Sequence, residues 1–301
     1  MNNKKGYFME PQNFSVNDGN GIRTIIFFAG CDLRCKWCSN PESWTNINKV
    51  AYYKKTCTNC ERCKKFCPKD VEVNLNFSKE RKKCISCGIC SEICLTSSRK
   101  SLIYQYTSSD IIKFIDKQKI FYRYSGGGVT FSGGEATKQA DILRELTYNL
   151  YDQALNLALE TSGYFDFDEI KDILEKLDLI FVDIKHMDNS LHKYYTGLGN
   201  ELILNNISRL KEINVPVVVR IPLIAGVNSD LNNIRLTSRF LKNNLPNAKL
   251  ELLPYHSFGD EKYDALGLEL PQKEFKAPEP ENIRMLINTI HDEGIETISY
   301  R

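Results

Sequence analysis

Eleven cysteines lie between Cys31 and Cys94, and the rest of the chain has none. Thiols this dense, in a chain without signs of secretion, read as metal or iron-sulfur ligands rather than as disulfides. Cys57, Cys60, Cys63 and Cys67 are spaced C-x2-C-x2-C-x3-C and followed by Pro68; Cys84, Cys87, Cys90 and Cys94 repeat the spacing, with Leu95 where proline would stand. Structural zinc is usually held by two separated cysteine pairs, whereas three cysteines at successive three-residue steps suit the corners of a four-iron cluster. The remaining three, Cys31, Cys35 and Cys38, form C-x3-C-x2-C. Three thiolates hold three irons of such a cluster and leave the fourth open to a small molecule, and an incomplete ligand set marks a reactive metal site. The plainer alternative is three ordinary buried thiols.

Positioning these residues takes a scaffold, and its rhythm is visible. Apolar, β-branched runs at Thr24 to Phe28, Gly128 to Ser132, Leu155 to Thr161, Leu179 to Lys185, Val217 to Leu223 and Leu250 to Tyr255 predict six strands. Helix-period segments near 136–150, 166–177, 201–213 and 229–244 alternate with them, and an amphipathic helix near 279–293 and the short run Thr297 to Tyr300 close the chain. Such alternation implies an α/β fold with a parallel sheet, either open and doubly wound or a complete or partial β/α barrel. A chain of 301 residues suggests about two domains. The cysteine-rich stretch interrupts the rhythm and reads as an inserted module, so a core begun in 1–50 receives an insert over 51–105 and resumes in 106–301.

Functional groups of parallel α/β folds gather at the carboxyl ends of the strands. The cysteine triad follows the first strand, and Ser132-Gly133-Gly134-Glu135 follows the second; paired glycines let a backbone approach a ligand closely. Glu160, Thr161, Ser162 and Gly163 end the third strand. Asp183 and Lys185 end the fourth and, two apart, share a face. Arg220, inside VVVRIPL, requires a carboxylate partner, either a ligand's or the protein's, such as Glu135. His256 ends the sixth strand, while His186, His192 and His291 receive no role.

With 42% hydrophobic and 26% charged residues the chain has globular composition. No apolar run approaches the roughly 18 residues that span a bilayer, and the opening MNNKKGYFMEPQNFS has no signal-peptide core, so a cytoplasmic location and no membrane partner are expected. The net charge of +2 is uneven: residues 51–105 carry 12 Lys/Arg against 5 Asp/Glu. The insert's lysines are interleaved with cysteines and lack stacking aromatics, which argues against nucleic acid. No phosphate loop or nucleophile elbow occurs.

CDLRCKWC, with Trp37 before the last cysteine, resembles the signature of the radical S-adenosylmethionine (SAM) superfamily. NFSVNDGNGIRT, CSNPESW, the paired cysteine runs and SGGE together resemble the glycyl-radical-enzyme activating enzymes, in the subgroup that carries a ferredoxin-like insert. Asn20 and Ala136 stand where relatives usually have proline, and neither removes a ligand. The resemblance implies a partial (β/α)6 TIM-type barrel with three [4Fe-4S] clusters. It assigns the SAM-binding cluster to Cys31, Cys35 and Cys38. By likeness to two-cluster ferredoxins, Cys57, Cys60, Cys63 and Cys94 would hold one insert cluster, and Cys84, Cys87, Cys90 and Cys67 the other. SAM would be met by Trp37, Cys38, Ser39, Gly133, Gly134, Glu135, Glu160, Asp183, Ile184, Lys185, Arg220 and His256, with Glu160 helping to hold a monovalent cation. The implied activity is anaerobic: reductive cleavage of SAM to methionine and a 5′-deoxyadenosyl radical, which takes a hydrogen from a backbone glycine of a partner glycyl radical enzyme. Flavodoxin or ferredoxin would be the reductant, docking at Lys64, Lys65, Lys82 and Lys83. The rivals are a radical SAM enzyme acting on a small molecule and an electron carrier built on the insert, which would need no SGGE, DIK or LPYH array.

Overall fold

The computed structural model describes residues 3–270 and 275–300. Eleven strands occur among them: β1 Lys5–Phe8, β2 Gln12–Ser15, β3 Arg23–Phe28, β4 Val50–Tyr52, β5 Arg99–Ser101, β6 Tyr104–Thr107, β7 Gly128–Gly133, β8 Asn156–Thr161, β9 Leu179–Asp183, β10 Val217–Leu223 and β11 Lys249–Pro254. The main sheet runs β11-β10-β9-β8-β7-β3-β1-β6, with β2 paired to β3 outside that path. From β3 through β11 every neighbouring pair is parallel. Each new parallel strand is added on the same side of the last, so no switch point divides them; right-handed crossovers then lie on one face. That order is consistent with a partial barrel and not with a doubly wound sheet, and it carries the six expected strands.

Burial explains why these runs are strands. β7, β9 and β10 are buried almost continuously, as strands covered on both faces must be. The covering helices bury residues at helical spacing, such as Ile142, Leu143, Leu146 and Leu150 in Ala140–Tyr151. Asp166 and Asp230 cap the helices Phe167–Leu174 and Leu231–Asn244 by accepting backbone N–H bonds in their first turns. Five strands lay outside the expected set, β1, β2 and β6 in the main sheet and β4 and β5 in a second one. β1 and β6 pair antiparallel with each other, β1 with β3; four-residue strands of mixed polarity give little periodic signal. The run Thr297 to Tyr300, in turn, forms one bridge, Thr297 to Leu250, rather than a strand.

The segment between β3 and β7 holds the cysteine runs. β4 and β5 form an antiparallel ribbon at their root. Beyond it, the short helices Arg62–Lys65, Ser78–Lys83 and Ile89–Glu92 surround a small core of Val50, Tyr52, Val71 and Leu75, against which Cys57, Cys67, Cys84 and Cys90 pack. The two runs repeat in backbone as well as in spacing. Left-handed residues recur 27 positions apart at Asn59 and Ser86, Glu61 and Gly88, and Asp70 and Ser97. Asn59 and Ser86 each donate a backbone N–H to the sulfur two residues earlier, Cys57 at 3.5 Å and Cys84 at 3.4 Å. A non-glycine residue in that conformation costs about 1–2 kcal/mol, so matched outliers indicate two loops shaped for the same task.

The glycine run 126–128 joins the helix Lys119–Ser125 to β7, with no room for a side chain at Gly127 or Gly128. A Cβ on Gly127 would sit 1.9 Å from the Ile22 carbonyl oxygen, whereas one on Gly126 would meet nothing within 4 Å. Gly126 has φ +70°, so Gly126→Ala should cost about 1–2 kcal/mol. Gly127→Ala should cost about 3 kcal/mol or more, because backbone must move. Urea midpoints of the two variants check this; equal losses would refute the close-packing account.

Candidate active site

All six parallel strands send residues into one cavity of about 970 Å3, measured with its open mouth. Cys31, Cys35, Trp37, Cys38 and Ser39 enter from the loop after β3, and Ser132, Gly133 and Gly134 from the end of β7. Glu160, Thr161 and Ser162 follow from β8, Asp183 and Lys185 from β9, Arg220 and Pro222 from β10, and Leu253 from β11. Sequence order thus becomes spatial order around a single opening.

The cysteine loop is held by backbone bonds. Arg34 N–H and Lys36 N–H donate to the carbonyls of Thr196 (2.7 Å) and Tyr195 (3.0 Å), at the C-terminal end of the helix Asn189–Thr196, where carbonyls lack helical partners. Gly30 N–H donates to Ser43 O at 2.7 Å. Burial pushes the Cys31 and Cys35 thiols up to about 12, and raises Cys38 as well. The nearby Lys185 ammonium acts in the opposite sense. Three thiolates in such a place need additional positive charge, which irons bound to sulfur supply. A four-iron cluster binds its thiolates at separate corners, and Cys31, Cys35 and Cys38 all line the one cavity.

Gly133, at φ +119°, could carry no side chain, since a Cβ would lie 2.3 Å from Phe28 O; one on Gly134 would lie 2.5 Å from Gly30 O. The pair keeps main chain at the cavity wall. Glu135 faces inward, 1% exposed. It accepts from Thr137 Oγ1 (2.9 Å), Thr161 Oγ1 (2.8 Å), Ser162 N (2.8 Å) and Ser162 Oγ (2.5 Å), while its own N–H donates to Gly30 O at 2.7 Å. Its carboxylate is taken up by these groups, so Glu135 is not the partner of Arg220 that the sequence suggested.

Arg220 binds two other carboxylates. Its Nη1 donates to Glu160 Oε1 at 2.5 Å, its Nε to Glu251 Oε2 at 2.8 Å, and its Nη2 to Asn17 O at 3.1 Å, above the Phe181 ring at 3.6 Å. Burial raises the Glu160 pKa and Arg220 opposes that rise. Ser132 Oγ donates to the other Glu160 oxygen at 2.6 Å. Lys185, 7% exposed, donates to Asp183 Oδ2 at 2.6 Å, and Asn228 ties the ends of β9 and β10 by donating to Lys185 O and Pro222 O.

Two further site residues fall elsewhere. Ile184 is buried in the main core and donates its N–H to Arg220 O at 2.9 Å. His256 is exposed, lies against Phe258 and lines a separate hollow behind Trp37, Cys38 and Ser39. Glu251, which sequence reasoning missed, carried a readable signal: one carboxylate in LELLP, opposite one guanidinium in VVVRIPL. Asn228 had none.

A parallel sheet whose strand ends gather three thiols, a glycine pair and paired charges defines an α/β enzyme built to hold a thiolate-bound group beside a polar ligand. The family model described as "Radical SAM superfamily" matches residues 25–234. The chain is 35% identical to the (2S)-3-sulfopropanediol dehydratase activating enzyme of Klebsiella oxytoca, over 97% of this chain and 96% of that one. It is 36% identical to the 4-hydroxyphenylacetate decarboxylase activating enzyme of Clostridium scatologenes, covering 88% of each. A radical SAM methyltransferase from Sphaerobacter thermophilus shares the fold, with a TM-score of 0.53 at 13% identity over 96% of this chain and 76% of that one. The chain belongs to the radical SAM superfamily, among the activating enzymes of glycyl radical enzymes. Membership implies a [4Fe-4S] cluster and SAM.

Arg220→Met would leave Glu160 and Glu251 without their shared cation, and removing one partner of a buried pair costs about 3–5 kcal/mol. Adding Glu251→Gln should recover part of that loss. Unfolding midpoints of the single and double variants measure the coupling; additive losses would show that the two residues do not act as a pair.

Proposed function

We propose that this chain activates a glycyl radical enzyme by reductive cleavage of SAM, with two further [4Fe-4S] clusters in the insert. The observation that carries the reading is the convergence of Cys31, Cys35 and Cys38 with groups from every parallel strand in one cavity. When bound, the cluster supplies one electron to the sulfonium of SAM, giving methionine and a 5′-deoxyadenosyl radical that takes a hydrogen from the partner's glycine Cα. The chain's own residues bind, orient and exclude water. Cys31, Cys35 and Cys38 hold three irons. Gly133 and Gly134 offer main-chain groups to the amino end of SAM, and Ser39 and Trp37 wall its other side. Asp183 and Lys185 meet its polar parts. Arg220, neutralised by Glu160 and Glu251, fixes the wall between β8 and β11 and presents its remaining N–H toward the ligand; Glu135 holds the glycine loop to Ser162. A monovalent cation beside SAM would use the lone pairs that Arg220 and Ser132 leave on Glu160.

The insert reading rests on its own observations. Cys63, Cys67, Cys84, Cys87 and Cys90 line one hollow of about 390 Å3, and the last four are the set assigned to one cluster. The two runs also match in backbone, with left-handed residues 27 positions apart and an N–H donated to the first sulfur of each. We take 51–105 as a ferredoxin-like domain set into a core of 1–50 and 106–301. An acidic flavodoxin or ferredoxin is the reductant this basic module would attract. Lys64 and Lys83 are engaged by Glu72 (2.8 Å) and Glu80 (3.0 Å), so Lys65 and Lys82 carry the docking expectation. Among the described residues no helix is long and apolar enough to cross a membrane, which suits the cytoplasmic, anaerobic setting that we take for the reaction. The relatives' names point to a dehydratase and a decarboxylase at similar identity, so the partner is one glycyl radical enzyme among several chemistries.

Anaerobically reconstituted protein should hold about twelve irons per chain. Cys31→Ala, Cys35→Ala or Cys38→Ala should abolish 5′-deoxyadenosine formation and retain about eight irons. Adding a candidate partner should produce a glycyl radical signal by electron paramagnetic resonance (EPR). Iron near four per chain would refute the insert clusters; SAM cleavage without a radical on any partner would favour a small-molecule substrate. Lys65→Gln with Lys82→Gln should slow activation by a protein reductant at low salt and leave activation by dithionite unchanged; equal rates with both reductants would reject the docking face.

A further inference from the structure

Arg99 in β5 is 4% exposed, and among the described residues no carboxylate pairs with it. The ion pairs of this part of the chain join Lys55 to Glu261, Lys64 to Glu72, Lys83 to Glu80 and Lys100 to Glu10. Arg99 Nη2 donates to Glu72 O at 2.9 Å and Val73 O at 2.5 Å. Its Nε is buried without a hydrogen-bond acceptor, and its guanidinium stands 4.9 Å from the centroid of the Tyr52 ring. Arg220 shows the contrast, since two carboxylates meet it. A buried charge is destabilising unless an opposite charge faces it. Arg99 therefore calls for an anion that no Asp or Glu supplies.

What surrounds Arg99 instead is sulfur. It lines the hollow of about 390 Å3 together with Cys63, Cys67, Cys84, Cys87 and Cys90. Tyr52, its neighbour in the β4–β5 register, belongs to the small core on which Cys57, Cys67, Cys84 and Cys90 pack. Burial pushes the Cys90 thiol up to about 11, and Arg99 acts in the opposite sense. The two cysteine runs also differ at this place. With the offset of 27 positions that relates them, Arg99 corresponds to Glu72, which is exposed and paired with Lys64 at 2.8 Å. The backbone is repeated and the buried charge is not.

We infer that Arg99 is the counter-charge of the insert cluster assigned to Cys67, Cys84, Cys87 and Cys90, and that it raises the reduction potential of that cluster. This rests on the insert reading within the function proposed above. Four thiolates around a four-iron core leave a net charge of about −2 when oxidised and about −3 when reduced. Reduction takes one electron from the external reductant and breaks no bond, so a fixed cation beside the sulfurs favours the more negative, reduced state. Arg99 holds no iron and acts through the charge it brings to the hollow.

The test uses the full chain carrying Cys31→Ala, Cys35→Ala and Cys38→Ala, in which about eight irons of the insert remain to be read. EPR-monitored redox titrations compare this background with the same protein carrying Arg99→Met or Arg99→Lys. In Arg99→Met the ratio of reduced to oxidised form of one cluster, at fixed poise, should fall about tenfold, a midpoint lower by about 59 mV for a one-electron couple. Arg99→Lys keeps the charge and should stay within about threefold of the background. A fall of less than about threefold in Arg99→Met, with iron retained, overturns the inference, and so does a lysine variant that falls as far as methionine. Where Arg99→Met does not assemble its clusters, Arg99→Lys decides: iron retained and a ratio within about threefold support the counter-charge, and loss of iron or a larger fall overturns it. If the background with Arg99 intact holds no iron, the insert reading fails and the inference with it.

Discussion

Charge in a buried place is the constraint on which this molecule is built. The Cys31, Cys35 and Cys38 thiols sit where burial pushes their ionisation well above neutral pH, and only positive charge brought to the sulfurs makes them ligands. The surroundings are arranged to the same end. Lys185 stands close enough to favour the thiolates, and Asn40 donates a backbone N–H to Cys38. Acidic side chains at the cavity are tied down: Glu135 by hydroxyls and a main-chain N–H, Glu160 by Arg220 and Ser132, Asp183 by Lys185. Left unpaired, each carboxylate would oppose the thiolates it faces.

The parallel sheet makes that arrangement affordable. Because the strands follow one another in order, each carboxyl end adds one functional group to the rim, and cross-strand neighbours in register supply its partner. Arg220 and Glu251 sit opposite each other in the β10–β11 ladder, and Arg220 and Asp183 are opposed across β10 and β9. An arginine in a strand this buried is tolerable only with such neighbours. Here it links β10 to β8, β11 and the loop carrying Asn17. Arg23 performs a related service, fully buried beneath the loop 17–22, donating to Thr130 Oγ1, Asn156 Oδ1 and three carbonyls.

Much of this could be read before any coordinates. The six parallel strands announced themselves because doubly covered strands are long apolar runs, and most covering helices because their apolar periodicity and caps are local. Cysteine spacing is local too, so the ligand sets were visible as sets. What stayed hidden depended on register and on side-chain direction. Glu135 was offered as the partner of Arg220, yet its carboxylate is held by Thr137, Thr161 and Ser162. Ile184, between Asp183 and Lys185, points the opposite way by strand alternation. His256 lies two residues past the end of β11 and lines a hollow that shares Trp37, Cys38 and Ser39 with the cavity.

The position of the insert follows from the same geometry. The chain leaves the site loop at Thr45 and enters β4 within five residues, so the insert is rooted beside Cys38. The helix Asp260–Leu266 then binds the two together. Lys262 donates to Asn40 Oδ1 at 2.7 Å and Glu42 Oε1 at 2.6 Å on the site side, and Tyr263 packs on Trp44. On the insert side, Asp264 O and Ala265 O accept from Asn76 Nδ2 at 2.7 Å and Arg81 Nη2 at 2.5 Å. A helix of seven residues has little stability alone, so these contacts hold it as much as it holds them. The Cys38 segment and the cysteine-rich segment are thereby fixed to one another by side chains, independently of any metal.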